Sequence, residues 1–282
     1  MIFNPEEPLH VYQFLVINKD ERMPVREVRS LLDPVAVAQL ASDGYVRIEG
    51  LFTSEQLAGF RSCVDRVRAL RYGNDERSTY SSGRFGGQYL RDLHAHDDKA
   101  WTLLVDSPIV DTVRSVLGPR LGLRSYSARI TFAGSQAETV WHCDQRAGVD
   151  PKPPWFTMTH SVTVLIYLDD IDEDCGRTSL IPGSHQRGTL PDEQGNYPDA
   201  VAFDAVAGDA LLFHGALWHR AGPNTARGRL RRVLNLQFAP SWAKHPEFEE
   251  LPDRPLWSNI ADEARSSGRT DVLELLGLGG YM

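Results

Sequence analysis

A chain of 282 residues, 41% of them hydrophobic, buries a proper core without disulfides or a structural metal. Its net charge of −8, from 38 acidic and 30 basic side chains, excludes a general nucleic-acid or membrane-surface binder. Its three cysteines, Cys63, Cys143 and Cys175, are odd in number and widely spaced, which excludes a disulfide framework and a thiolate zinc site and reads as reduced thiols in a cytoplasmic protein.

In chain order, residues 1–7 are acidic and polar, without the basic start and apolar run of a signal peptide. No apolar stretch is long enough to span a membrane. Residues 1–30 carry little pattern; 11–18 reads as a strand or a cap over the body of the protein. Residues 33–42 read as a short helix stopped by Gly44, and 45–48 as a strand. The clearest helix follows: Thr53 is a good N-cap, Gln56 completes a capping box, and Leu57, Phe60, Val64 and Val67 form one apolar stripe. Residues 73–92, rich in Gly, Ser and charge, read as a loop. Two shorter helices are expected at 97–105 and 108–117, with Gly118-Pro119 as the stop.

From about residue 121 the pattern changes. Short β-like runs at 121–132, 139–144, 159–169, 178–181, 201–206, 210–213 and 230–239 alternate with turn signals. A helix is expected at 260–276. Helices first and a β core after them give an α+β ordering within one domain.

Trp141-His142-Cys143-Asp144 carries the first chemical signal. Alternate residues of a strand point the same way, so His142 and Asp144 can face one point while Cys143 faces away. Downstream, Gly208-Asp209 opens a turn into the strand 210–213, and His219 is the candidate third ligand. Two imidazoles and one carboxylate on one face leave three positions open, the arrangement of Fe(II) oxygenases. A closed four-ligand zinc site leaves no such room. Such an iron needs space for a keto acid bound through two oxygens and for O2. A guanidinium can clamp the far carboxylate of 2-oxoglutarate with two parallel hydrogen bonds. On the strand 231–238, Arg231 is the first choice, with Arg229 and Arg232 in play.

At these residues the sequence resembles the phytanoyl-CoA dioxygenase family of Fe(II)/2-oxoglutarate oxygenases. The matching landmarks are Trp141-His142-Cys143-Asp144, the run Gly176-Arg177-Thr178-Ser179-Leu180-Ile181-Pro182-Gly183-Ser184-His185, Gly208-Asp209, His219 through Asn224, and Arg231. Their order and spacing cover roughly residues 40–240; together they are specific, and singly none is.

The resemblance implies an α+β fold with a double-stranded β-helix (jelly-roll, cupin-like) barrel core flanked by N-terminal helices. Residues 1–40 would be an extension or cap, 41–240 the core with its β-helix from about 121, and 241–282 a helical tail, all one domain. It implies that His142, Asp144 and His219 bind Fe(II), and that Arg231, seven before the aromatic Phe238, binds 2-oxoglutarate. Arg231 stands one residue further from His219 than the family pattern, which requires a one-residue insertion near Arg227-Gly228. It further implies co-substrate contacts from Thr163, with Ser161 on the same face, and from Thr131. The hydroxyl expected two residues after the distal histidine is absent, since that position is Ala221. Asp144, in place of a small residue, favours hydroxylation or another C–H oxidation over halogenation.

Competing readings remain at this level. His214 and His185 rival His219 as third ligand, though His185 closes Pro182-Gly183-Ser184-His185, a turn and capping device. Arg220, Arg227 and Arg229 read as a solvated basic patch. Trp141, Trp155, Phe156 and Trp218 read as core or pocket wall. The Pro-rich stretch 145–158 and the 73–92 loop read as the substrate entrance. The expected activity is oxidation of a small-molecule metabolite with 2-oxoglutarate and O2, in natural-product biosynthesis. The rivals are a cupin-like metalloenzyme without 2-oxoglutarate and a non-catalytic metal-binding β-helix module.

Overall fold

The structure is a computed structural model that describes residues 1–4, 6–15, 25–73, 87–136, 138–144, 161–243 and 255–278. The chain opens with an antiparallel hairpin of β1 (His10–Leu15) and β2 (Val25–Ser30). The strand expected at 11–18 is present over 10–15, and 16–18 lie outside the described residues. β2 had no expectation behind it. Its sequence carries three charged residues, and Val28 and Ser30 are buried.

Helix α1 (Pro34–Asp43) starts where Asp33 accepts a 2.6 Å hydrogen bond from the Ala36 amide. It ends at Gly44, whose φ of +86° suits only glycine; a Cβ there would also stand 2.5 Å from Nδ1 of His185. After β3 (Tyr45–Ile48) comes α2 (Ser54–Tyr72), with both halves of the expected capping box formed. Such a cap stabilises by about 1 kcal/mol. Its stripe of Leu57, Phe60, Val64 and Val67 is buried.

Within the loop expected at 73–92, residues 74–86 lie outside the described residues, but Gln88–Leu90 forms a strand, β4. A three-residue strand shows no alternation to read. It forms because Leu90 is fully buried and because Arg68 on α2 donates to the buried Gln88 side chain at 2.9 Å. Helices α3 (Asp98–Val105) and α4 (Ile109–Leu117) follow, α3 capped by Asp97, and Gly118 ends α4.

Two antiparallel sheets make up the rest. β5 (Leu121–Thr131), β7 (Val162–Tyr167), β10 (Ala210–His214) and β12 (Arg231–Pro240) join β3 and β4 in a six-stranded sheet ordered β3-β10-β7-β12-β5-β4. β6 (Thr139–His142), β8 (Thr178–Leu180), β9 (Val201–Phe203) and β11 (His219–Ala221) form a four-stranded sheet ordered β6-β11-β8-β9. β11, too short to show alternation, was not expected as a strand.

Every residue of β7 is buried, because the large sheet is covered on both faces. Val162, Val164 and Ile166 face the helices, together with Leu234, Leu236 and Phe238 of β12 and Tyr126, Ala128 and Ile130 of β5. The alternate residues Leu165 and Tyr167, with Val233, pack toward the small sheet against Leu180, Leu211, Phe213 and Leu217. The Gly-Arg-Thr run reflects a close approach: a Cβ on Gly176 (φ +78°) would lie 2.5 Å from the carbonyl oxygen of Gly222. Asp209, 3% exposed, ties the turn before β10 to β3, binding Arg47 at 2.8 Å and the Gly50 amide at 3.0 Å.

The helix expected at 260–276 is two helices, α5 (Pro255–Ser266) and α6 (Thr270–Leu275). Gly268, at φ +68°, breaks the run, and the Ser267 hydroxyl binds the Glu263 carbonyl. Among the described residues no helix is long and apolar enough to cross a membrane.

Candidate metal centre

β11 lies between β6 and β8, in a register that sets His219 directly opposite His142. Facing positions on neighbouring strands share one side of a sheet, so both imidazoles project to the same side, their ring centroids 4.2 Å apart. Asp144 lies two residues past the end of β6 and points the same way. Its carboxylate lies 3.9 Å from the Nε2 atoms of both His142 and His219. One ligand atom from each of the three falls within 4.8 Å of the others, the one such group among the described residues.

The backbone fixes the ring tautomers. Nδ1 of His142 lies 2.9 Å from the Val140 carbonyl, and Nδ1 of His219 lies 2.9 Å from that of Leu217. A carbonyl only accepts, so each Nδ1 carries the proton and each Nε2 lone pair is free toward the shared centre. Burial, and then the neighbouring His219, push the pKa of His142 down to about 3, so the ring is neutral at physiological pH.

Thr163, on β7 of the large sheet, donates its hydroxyl to Asp144 at 2.5 Å and so joins the two sheets at the site. That bond uses the only proton the hydroxyl has. Thr163 therefore orients the carboxylate and cannot also donate to a bound carboxylate, a different task from the co-substrate contact expected of it. The Ser161 hydroxyl, on the same face, is buried without a partner.

The three candidate arginines separate by their partners. Arg229 pairs with Asp172 at 2.7 Å and is half-exposed. Arg232 pairs with Asp169 at 2.8 Å and with Asp65 at 3.1 Å. Arg231 is 4% exposed and has no ion pair among the described residues, and its Nε has no hydrogen-bond partner. Burial lowers its pKa, yet a guanidinium keeps its charge. An unpaired buried cation is costly, and an anion placed beside it would remove the cost. Thr131 is Arg231's neighbour across β5, 1% exposed. The Asn224 amide donates to the carbonyls of Thr131 and Arg229, clamping the turn that leads into Arg231.

The rival histidines stand elsewhere. His185 and His214 pack against each other with tilted rings, centroids 4.9 Å apart; His185 reaches the Ala41 carbonyl, and His214 Nδ1 accepts from the Ala216 amide. Trp141 and Trp218 pack on the other side of the small sheet with Cys143 and Ile181, as wall rather than pocket. Arg220 lies over the Trp141 ring at 4.8 Å. The stretch 145–158, including Trp155 and Phe156, lies outside the described residues.

Sequence reasoning missed Tyr167 and Thr178. Both are buried, their hydroxyls lie together, and Tyr167 adjoins Arg231. A tyrosine at the end of the run Val162–Tyr167 reads as core, and nothing local marks it otherwise.

The chain matches the phytanoyl-CoA dioxygenase (PhyH) family over residues 40–233. It is 39% identical over 228 residues to the uncharacterized protein Rv1501 of Mycobacterium tuberculosis, covering 79% of this chain and 81% of that one. It is 32% identical to dioxygenase af480 of Aspergillus fumigatus over 69% of this chain, and the match spans only 59% of that longer protein. Among solved structures it resembles the epimerase SnoN in complex with Fe3+, alpha ketoglutarate and nogalamycin RO. That match has a TM-score of 0.62 at 22% identity, covering 78% of this chain and 92% of that one.

Proposed function

The chain belongs to the phytanoyl-CoA dioxygenase family, and from that premise we propose that it is a non-haem Fe(II)/2-oxoglutarate-dependent oxygenase that oxidises a C–H bond of a small molecule. The observation that carries this reading is the convergence of His142, Asp144 and His219 within 4.8 Å. Two imidazoles and one carboxylate, approaching from one side, are a donor set that fits Fe(II) and leaves coordination positions free. The buried, unpaired Arg231 fits the second requirement, a carboxylate-bearing co-substrate.

Bound iron would supply oxidation of the substrate by O2, coupled to decarboxylation of 2-oxoglutarate to succinate and CO2. The chain's own side chains do the rest. His142 and His219 offer Nε2 atoms whose direction is set by the Val140 and Leu217 carbonyls. Thr163 fixes the rotation of Asp144. Arg231 anchors the far end of the keto acid, and Thr131 borders that anchor. Asp144 occupies the position a chloride would need, which favours oxygen insertion or another C–H oxidation over halogenation.

In this reading the two sheets are the halves of a double-stranded β-helix, supported by Thr163 reaching Asp144 across them and by the mixed core between them. The whole chain is one domain, with 1–40 as a cap and 241–282 as a helical tail. The substrate is a diffusible metabolite, in keeping with a structural relative captured with nogalamycin RO, and natural-product tailoring is its setting. Three buried free thiols support a reducing compartment, the cytoplasm.

The test is succinate formation by purified protein given Fe(II), 2-oxoglutarate and O2 with candidate substrates. The reading expects turnover that vanishes in His142→Ala and Asp144→Ala. Turnover that continues without 2-oxoglutarate would favour a cupin-like metalloenzyme, for which Arg231 has no use.

A further inference from the structure

On the inner face of the large sheet, β5, β12 and β7 pair in rungs. Nearest the metal centre, Gln237 of β12 lies between Ser125 of β5 and Thr163 of β7, the residue that holds Asp144. In the next rung Asn235 lies between Ser127 and Leu165. Val233 follows, between Arg129 and Tyr167, and the last pair is Thr131 with Arg231. Gln237 and Asn235 turn inward because Leu234, Leu236 and Phe238 turn to the helices. The face therefore changes along its length. Cations stand at the Arg231 end, and uncharged amides and hydroxyls stand beside the metal centre.

The uncharged end holds polar atoms in want of partners. Oδ1 of Asn235 and Oγ of Ser161 are buried and have no hydrogen-bond partner. Ser161 precedes β7 and, by alternation, shares the face of Thr163. Gln237, in the rung between them and the metal centre, is partly exposed. Buried polar atoms in a native fold are almost always satisfied, so these two point to a partner that arrives with a bound molecule. That partner donates to Asn235 Oδ1, which an anion cannot do. It also sits beside a metal ion and one rung from Arg129, where a second cation would be repelled. A neutral hydroxyl meets both demands, since it donates and accepts. An apolar surface in the same place would leave both atoms without a partner, and a site built to bond a hydroxyl rejects analogues that lack it.

We propose that Gln237, Asn235 and Ser161 receive the hydroxyl groups of a neutral, polyhydroxylated substrate, such as a sugar ring, and set the specificity of the site. This rests on the reading of the metal centre given above. The three side chains take no part in holding the metal or the keto acid.

The test compares three six-membered rings as probes: methyl β-D-glucopyranoside, cyclohexanol and cyclohexanecarboxylate. Each is added to the protein loaded with Mn(II) and 2-oxoglutarate, and the broadening of its proton NMR lines by Mn(II) reports residence beside the metal. Zn(II)-loaded protein gives the diamagnetic reference. The glucoside should broaden most. In Asn235→Leu and in Gln237→Met its broadening should fall about ten-fold or more, and Ser161→Ala should lower it less. Cyclohexanol should broaden as much as in the parent or more. Affinity for Mn(II) and for 2-oxoglutarate should stay as in the parent. The melting temperature of ligand-free Asn235→Leu should be equal or higher, because a buried atom without a partner has been removed.

Equal broadening of the three rings, or strongest broadening of the carboxylate, overturns the proposed substrate class. Unchanged glucoside broadening in the Asn235→Leu, Gln237→Met double variant overturns the role of the two amides. A fall for all three probes together with a lower melting temperature also overturns it, by showing a purely structural role. No broadening of any ring, in protein that holds Mn(II) and 2-oxoglutarate, overturns this proposal and leaves the metal centre standing. A parent protein that takes up no Mn(II) overturns the underlying reading and this proposal with it.

Discussion

The two faces of the large sheet are built from the same strands and have opposite characters. Toward the helices, β5, β7 and β12 present Tyr126, Ala128, Ile130, Val162, Val164, Ile166, Leu234, Leu236 and Phe238, an apolar surface 0% exposed throughout. Toward the small sheet they present Thr163, Tyr167, Asn235 and Arg231, of which the last two each hold a buried polar atom without a partner. One face supplies apolar burial. The other holds groups that raise the energy of the empty protein and become useful when something is bound. Alternation along a strand lets one residue serve each purpose without disturbing the next.

The largest effect that would sharpen this contrast comes from the inner side. His142→Ala should abolish 2-oxoglutarate-dependent succinate formation while the metal-free protein still unfolds cooperatively in urea. Next comes the outer face. Phe238→Ala should lower stability by about 3–5 kcal/mol in urea titration, and the folded fraction should still bind 2-oxoglutarate. Loss of binding at full stability would break the contrast.

Arg231→Met should weaken 2-oxoglutarate by roughly 10- to 100-fold, the range for hydrogen bonds to a charged group, while leaving the unloaded protein as stable or more so. A clear loss of stability would mean that the guanidinium is structural. Thr53→Ala, far from both faces, should cost about 1 kcal/mol and no activity.

The smallest effect concerns Cys63 on α2. Burial, and then its bond to Asp97, push its pKa up to about 12. A thiol whose folded pKa exceeds the unfolded one stabilises fully below the unfolded value near 9, and loses that contribution as pH rises toward 12. Cys63→Ala should therefore flatten the alkaline limb of the stability curve, measured by melting temperature between pH 8 and 10.

What was legible in the sequence was local. The capping box at Thr53 and Gln56, the stop at Gly44 and the apolar run of β7 each declare themselves within a few residues. β4 and β11 span three residues apiece and exist only through their neighbours, so no periodicity announces them. The two C-terminal helices merge in the sequence because Gly268 is a single interruption in a helical pattern. The arginine choice was undecidable from 229–232 alone. Arg232 is taken by Asp169 and Asp65, and Arg229 by Asp172, partners more than fifty residues away. Tyr167 and Thr178 were invisible for a related reason. Their contact joins strands of the two sheets, and nothing within either strand announces it.

The facing positions of His142 and His219 on adjoining strands have a consequence for assembly. A slip of one residue between β6 and β11 would turn one imidazole to the far side of the sheet and leave no two-histidine grip. Uptake of the ion we propose there would then proofread strand registration: only chains threaded correctly would retain it, and misregistered ones would betray themselves by releasing it to a weak chelator.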